Sequence, residues 1–100
     1  MDSYTVVLAW DADWVGYVAT CPAMQGAVSQ GKSRDEALAN IREAMLGWVE
    51  VADEPGLAAM RESAAIVADG VTFALNWQAE EGWPLRVETA TVTLPTPVAA

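Results

Sequence analysis

The stretch GAVSQGKSRDEALANI, residues 26–41, decides how the chain is read. Its first part, Ala27 to Gln30, suits a short strand, and Gly31 suits the turn that follows. Ser33-Arg34-Asp35-Glu36 then fits the capping box Ser-x-x-Glu. There the Ser33 hydroxyl takes the backbone N–H of Glu36, and the Glu36 carboxylate reaches back to the N–H of Ser33. Asp35 and Glu36 also suit the positive end of a helix dipole. Leu38, Ile41, Met45, Trp48 and Ala52 follow at spacings of three and four, the single apolar stripe of a helix lying on a core. Gly47 inside that helix costs about 1 kcal/mol relative to alanine, which predicts a close packing contact there. Lys32 is the only lysine of the chain. With the first-turn amides capped and two carboxylates beside them, Ser29-Gln30-Gly31-Lys32 reads as a turn with a solvated lysine, not as an anion-binding loop.

Working outward toward the N-terminus, Tyr4 to Trp10 (YTVVLAW) is a β-branched and aromatic strand. Asp11-Ala-Asp-Trp-Val-Gly16 supplies a turn, with Asp11 and Asp13 suited to local side-chain hydrogen bonds and Gly16 permissive. Tyr17 to Cys21 is the return strand, and Pro22 ends it. Three strands linked so closely make an antiparallel meander.

Toward the C-terminus, Pro55-Gly56 stops or bends the first helix. Leu57, Met60, Ala64, Val67, Val71, Ala74 and Gln78 then keep helical spacing, and Gly82 with Pro84 forms a stop signal. This predicts an inserted helical segment over about 53–82, helical from Pro55 to Glu81 or broken at Gly70. The rival is a hairpin within 66–76, because Asp69-Gly70 stands between apolar runs. Arg86 to Leu94 (RVETATVTL) alternates and reads as a last strand with one drier face. A crossover through the helix allows that strand to lie parallel to the first. The first helix covers one face of the sheet, and the other face needs its own cover.

One hundred residues fit a single domain, 1–100. Apolar residues make up 53% and five are tryptophan, more greasy surface than one sheet and one helix can hide. A self-association face is therefore expected, most simply a two-fold dimer, built on Met60, Ala64, Val67, Val71 and Leu75 of the inserted segment. The net charge of −9, with no basic cluster, opposes a phosphate backbone; on charge alone it reads as plain solubility, with steering toward a basic protein partner as the alternative. Cys21 is alone and histidine is absent, so there is no disulfide framework, no thiolate metal cage and no cofactor signature. The opening Met1-Asp2-Ser3 lacks the basic region of a signal peptide, and no apolar run reaches a membrane span. The reading is cytoplasmic, with no membrane contact.

YTVVLAWDADWVGYVATCPAMQGAVSQGKSRDEALANIREAM, residues 4–45, resembles the N-terminal domain of HicB-family antitoxins. The resemblance rests on the opening strand with its acidic turn, on GYVATCP (16–22) and on GAVSQGKSRDEALANIREA (26–44), and it covers about the first half of the chain. It implies an α+β fold, a β-β-β-α-β partial RNase-H-like sheet with one covering helix and the inserted segment before the last strand. It also implies a binding protein, not an enzyme, that neutralises a small basic mRNA-cleaving toxin of the HicA type by occlusion. The chain departs from the family where PAMQGA (22–27) replaces the common PELPGC, and in the inserted segment. Only six residues follow Leu94, too few for the C-terminal DNA-binding module that the family often adds, so no autonomous operator binding is expected. An orphan HicB-like scaffold or small-ligand domain without a toxin is the alternative.

Chemistry is scarce beside this. Two-metal hydrolysis needs converging carboxylates, yet Thr5 to Ala9 in the first strand offers none. Cys21 has no histidine partner and suits burial as a small apolar residue. The most suggestive group is Trp10, Asp11, Asp13 and Trp14, because aromatic anchors beside carboxylates suit a partner interface.

Overall fold

The computed structural model describes residues 2–52 and 62–95. The chain runs as β1 (Asp2–Asp11), β2 (Gly16–Thr20), β3 (Val28–Gly31), α1 (Arg34–Val51), α2 (Ala64–Glu81) and β4 (Val87–Leu94). The strands form one antiparallel sheet in the order β3-β2-β1-β4. This is an α+β fold with the expected meander, covering helix and second helical element. Leu57 and Met60, expected in the second helix, lie outside the described residues.

Strand β1 is central and buried on both sides, which explains its unbroken apolar run Val6-Val7-Leu8-Ala9. Alternation divides the sheet. Tyr4, Val6, Leu8, Ala19, Cys21, Val92 and Leu94 face α1 and pack with its Ala37, Ile41 and Met45. Val7 and Ala9 point the other way and pack with Ala74, Val71 and Trp77 of α2. Among the described residues the second face is therefore covered by the chain's own second helix, but only in part: α2 lies over β1 and β4.

Helix α1 starts as its sequence dictates. The Ser33 hydroxyl accepts the N–H of Glu36 at 3.1 Å. The reciprocal bond goes one residue further back than expected, from the N–H of Lys32 to the Glu36 carboxylate at 3.3 Å. Gly31 serves close approach, not a free turn: a Cβ there would collide with the backbone of Glu36 and Ala37.

Helix α2 begins at Ala64, where Ser63 is an N-cap whose hydroxyl accepts the N–H of Ile66 at 3.2 Å; the expected helical stretch from Pro55 to Arg61 lies outside the described residues. It runs unbroken through Asp69-Gly70, so the hairpin alternative does not form. Gly82 ends it with φ 75°, and the N–H groups of Gly82 and Trp83 return to Ala79 and Gln78, a Schellman closure.

Two expectations are corrected. The last strand is antiparallel to β1, pairing Asp2 with Leu94 and Ala9 with Val87. The reason is parity: α1 runs down one face, α2 runs back up the other alongside β1, and β4 must then descend. A single crossover helix would have brought it back parallel. Among the described residues the expected close contact at Gly47 is also absent, since a Cβ there would meet none of them within 4 Å. The helical glycine under close approach is Gly70, whose Cβ would stand 2.9 Å from Pro22 Cγ and 3.5 Å from Val7 Cγ2.

Candidate partner-binding site at the hairpin end

The β1–β2 connection, the end of β3, the start of α1 and the end of α2 meet at one end of the sheet. Asp11 organises the connection. Its Oδ1 accepts the N–H of Asp13 at 3.0 Å and of Trp14 at 2.9 Å, and its carbonyl accepts the N–H of Val15 at 2.8 Å. Asp11 is thus spent on local structure, and Asp13 is the exposed carboxylate.

Both tryptophans of the turn are braced. Trp10 stands edge-on to Tyr17, ring centroids 5.1 Å apart, and the Arg86 guanidinium lies 4.5 Å over the Trp10 ring. The same guanidinium donates to the Tyr17 hydroxyl at 3.2 Å. The Trp14 ring folds over Gly16, where a Cβ would collide with it, and this is why glycine stands there. Lys32 closes the other side, its ammonium 3.9 Å from the Trp14 ring centroid and donating to the Trp14 carbonyl. The solitary lysine is exposed as expected, but it also clamps a tryptophan. Three of the five basic residues, Lys32, Arg34 and Arg86, gather at this end. Arg34 pairs with Glu88 across two roughly half-exposed side chains, an ion pair worth at most about 1 kcal/mol.

Val15 is the strained residue. Its φ is 58°, and among the described residues no other non-glycine has a positive φ. A branched Cβ in this region meets the following carbonyl, at a cost of about 1–2 kcal/mol. Val15 is nevertheless 59% exposed, so burial returns little.

The far end of α2 is tied in by Gln78, which is fully buried. Its amide donates to the carbonyls of Trp10 at 3.0 Å and Arg86 at 2.8 Å, and its oxygen accepts the Arg86 N–H at 3.0 Å. Trp77 and Trp83 meet edge-on beside it, 5.0 Å apart.

The residues expected at a self-association face have mixed positions. Val71 packs on the Val7–Ala9 cluster, Val67 and Leu75 are half-buried, Ala64 is exposed, and Met60 lies outside the described residues. The large exposed apolar side chains of α2 are Phe73, at 77%, and Ile66, at 39%. With Val7, Ala9, Val18, Thr20, Ala74 and Trp77, Phe73 lines a groove of about 70 Å³ between α2 and the uncovered β2 side of the sheet. Val28, opposite Thr20 on β3, extends this apolar strip to the sheet edge.

Sequence reasoning singles out Trp10, Asp11, Asp13 and Trp14 as a partner-facing group, and the structure places all four at the β1–β2 connection. It missed Val15, Tyr17 and Arg86. A β-branched residue inside a polar turn was the available signal for Val15. Nothing local announces that Arg86 returns to Trp10 from the other end of the chain.

Cys21 is buried and its thiol is pushed up by desolvation, partly offset by the backbone amides of Met24 and Ala23. Burial also raises Tyr4, helped by the nearby negative charge of Asp2. Among the described residues no group of three or more acidic, cysteine or histidine side chains could hold a metal ion, and no helix is long and apolar enough to cross a membrane.

No family model matches the chain. Its fold is that of the N-terminal domain of the antitoxin HicB from Burkholderia pseudomallei, whose crystal structure matches with a TM-score of 0.59 at 23% identity, over 94% of this chain and 99% of that one. A UPF0150 protein of Helicobacter pylori is 46% identical over 61 residues, 58% of this chain and 81% of the relative. One from Thermoplasma acidophilum is 45% identical over 47 residues, 47% of this chain and 67% of the relative. One from Synechocystis is 44% identical over 48 residues, 48% of this chain and 60% of the relative. With the larger part of the Helicobacter relative matched at that identity and a HicB-like fold beneath it, the chain belongs to the UPF0150 family.

Proposed function

We propose that this chain is an antitoxin-type binding protein that neutralises a small basic, mRNA-cleaving toxin of the HicA type by occlusion. The observation that carries this reading is the braced hairpin end, where Trp10 and Trp14 are held against Tyr17, Arg86 and Lys32 beside the exposed carboxylate of Asp13. Rigid aromatic anchors bind with little entropy loss, and the net charge of −9 attracts a basic partner. The protein acts stoichiometrically, without chemistry or cofactor, and does not bind nucleic acid by itself, because its charge repels phosphate. To test it, the chain is co-expressed with the small basic protein encoded beside its gene. A co-purifying complex that suppresses RNA cleavage supports the reading. If no such protein is encoded there, or none is bound, the chain is a stand-alone HicB-like scaffold or small-ligand domain.

We also infer two-fold self-association through α2 and the open β2–β3 strip. Both are nearly free of charge: Val18, Thr20, Val28 and Gln30 on the sheet, and Ile66, Thr72, Phe73 and Asn76 on the helix, with Asp69 as the exception. Copies carrying −9 each can meet only on such a surface. Phe73→Glu leaves the monomer folded and halves the mass seen by light scattering. A wild-type chain that is monomeric at micromolar concentration overturns this inference and leaves the toxin reading standing.

A further inference from the structure

We infer that Val15 is an apolar knob by which the β1–β2 hairpin enters an apolar socket on a basic protein partner, and that the chain retains it against the interest of its own stability. The inference rests on the antitoxin reading and adds to it the residue that makes the contact.

Residues 12–15 connect Asp11 to Gly16, which are paired across the ladder. The Val15 N–H closes this loop onto the Asp11 carbonyl. Closure places Val15 at φ 58°, where glycine or asparagine is the ordinary occupant. A β-branched residue is the least suited to it. Folding does not explain the choice, because the side chain is 59% exposed. Nor did the chain lack a glycine: Gly16 is the next residue, yet it has no positive φ and is needed beneath the Trp14 ring. An exposed apolar side chain held in a strained conformation points to a contact outside the chain.

The surroundings fit a docking knob. The backbone beneath Val15 is fixed by Asp11, whose carboxylate takes the amides of Asp13 and Trp14, and Lys32 pins Trp14 from the side. Little freedom is therefore lost on binding. The exposed carboxylate of Asp13 requires a socket with a basic rim. A nucleic acid is opposed by the net charge of −9, and Lys32, Arg34 and Arg86 at this end are already engaged by Trp14, Glu88 and Tyr17. A second copy would bring Asp13 against Asp13, whereas the uncharged α2 face offers copies a better meeting place.

The test uses the full chain with Val15→Asn and Val15→Thr, thermal melts, and titration against the small basic protein encoded beside its gene. Asparagine relieves the strain and removes the apolar contact. The expected result is a melting temperature higher by about 4 °C or more together with affinity about tenfold weaker. Threonine keeps the β-branch, so it should weaken binding without raising the melting temperature. Val15→Asn melting at or below wild type would overturn the strain argument. A higher melting temperature with unchanged affinity would overturn the knob while leaving the antitoxin reading intact. If the wild-type chain itself fails to bind the basic protein, that reading fails and the inference falls with it.

Discussion

Helices α1 and α2 are both 18 residues long and cover opposite faces of one sheet, but they are attached by different means. Helix α1 is charged outside, with Arg34, Asp35, Glu36, Arg42, Glu43 and Glu50, and buries the large side chains Ile41 and Met45. Helix α2 carries only Asp69, Glu80 and Glu81 and is otherwise uncharged all round. Its buried residues are Ala74 and Gln78. It is held by closeness, through Gly70 and Ala74, and by the three hydrogen bonds of one amide. The difference teaches that a helix can be seated by small residues and a polar latch while its larger apolar side chains stay available. Helix α1 completes the fold of this chain; α2 completes it in part and leaves Phe73 outside.

The contrast can be broken most severely at Ile41. Ile41→Ala removes a fully buried side chain beneath α1 and should cost about 2–5 kcal/mol, read from urea denaturation. A loss below 1 kcal/mol would mean that α1 is not the main anchor.

The polar latch comes next. Gln78→Leu keeps the helix and much of the volume but leaves the Arg86 N–H without its acceptor, at about 1–3 kcal/mol. Amide exchange should quicken in α2 while α1 stays protected. Uniform quickening in both helices would show that the two faces unfold as one.

The helical glycines sharpen the comparison at smaller cost. Gly47→Ala should stabilise by roughly 0.5–1 kcal/mol, because no described residue obstructs the methyl group. Gly70→Ala should forfeit that gain against Pro22 and Val7 and come out neutral or destabilising. Equal melting-temperature shifts for the two would place α2 further from the sheet than it stands here.

Alkaline pH gives the mildest effect. Burial raises both Cys21 and Tyr4, which belong to the α1 side of the core. Each gives up its proton less readily folded than unfolded, so its contribution is complete below the unfolded pKa. For the thiol this is the ordinary value of 9.0, and the contribution fades as pH rises through the folded pKa. The melting temperature should decline above about pH 9, and Cys21→Ala should soften the decline. A profile flat to pH 11 would count against burial of both groups.

Much was legible without coordinates. Ser33 and Glu36 announce α1, Ile41 and Met45 mark its inner face, Gly82 with Pro84 ends α2, and Ala90, Val92 and Leu94 give the drier side of β4. The aromatic and acidic cluster of the turn was legible too, since its members are neighbours in the chain. These features depend on hydrogen bonds and periodicities within a few residues, which the sequence alone determines. Other features were decided by tertiary structure. The direction of β4 depends on how many times the chain crosses the sheet. Gly70 must lack a Cβ because Pro22 and Val7 stand opposite, while no described residue crowds Gly47. Gln78 looks like the polar end of an apolar stripe until Trp10 and Arg86 arrive around it. In each case the physical reason is the same: the deciding partner is remote in the chain, so the meaning of the residue is set by packing and not by local pattern.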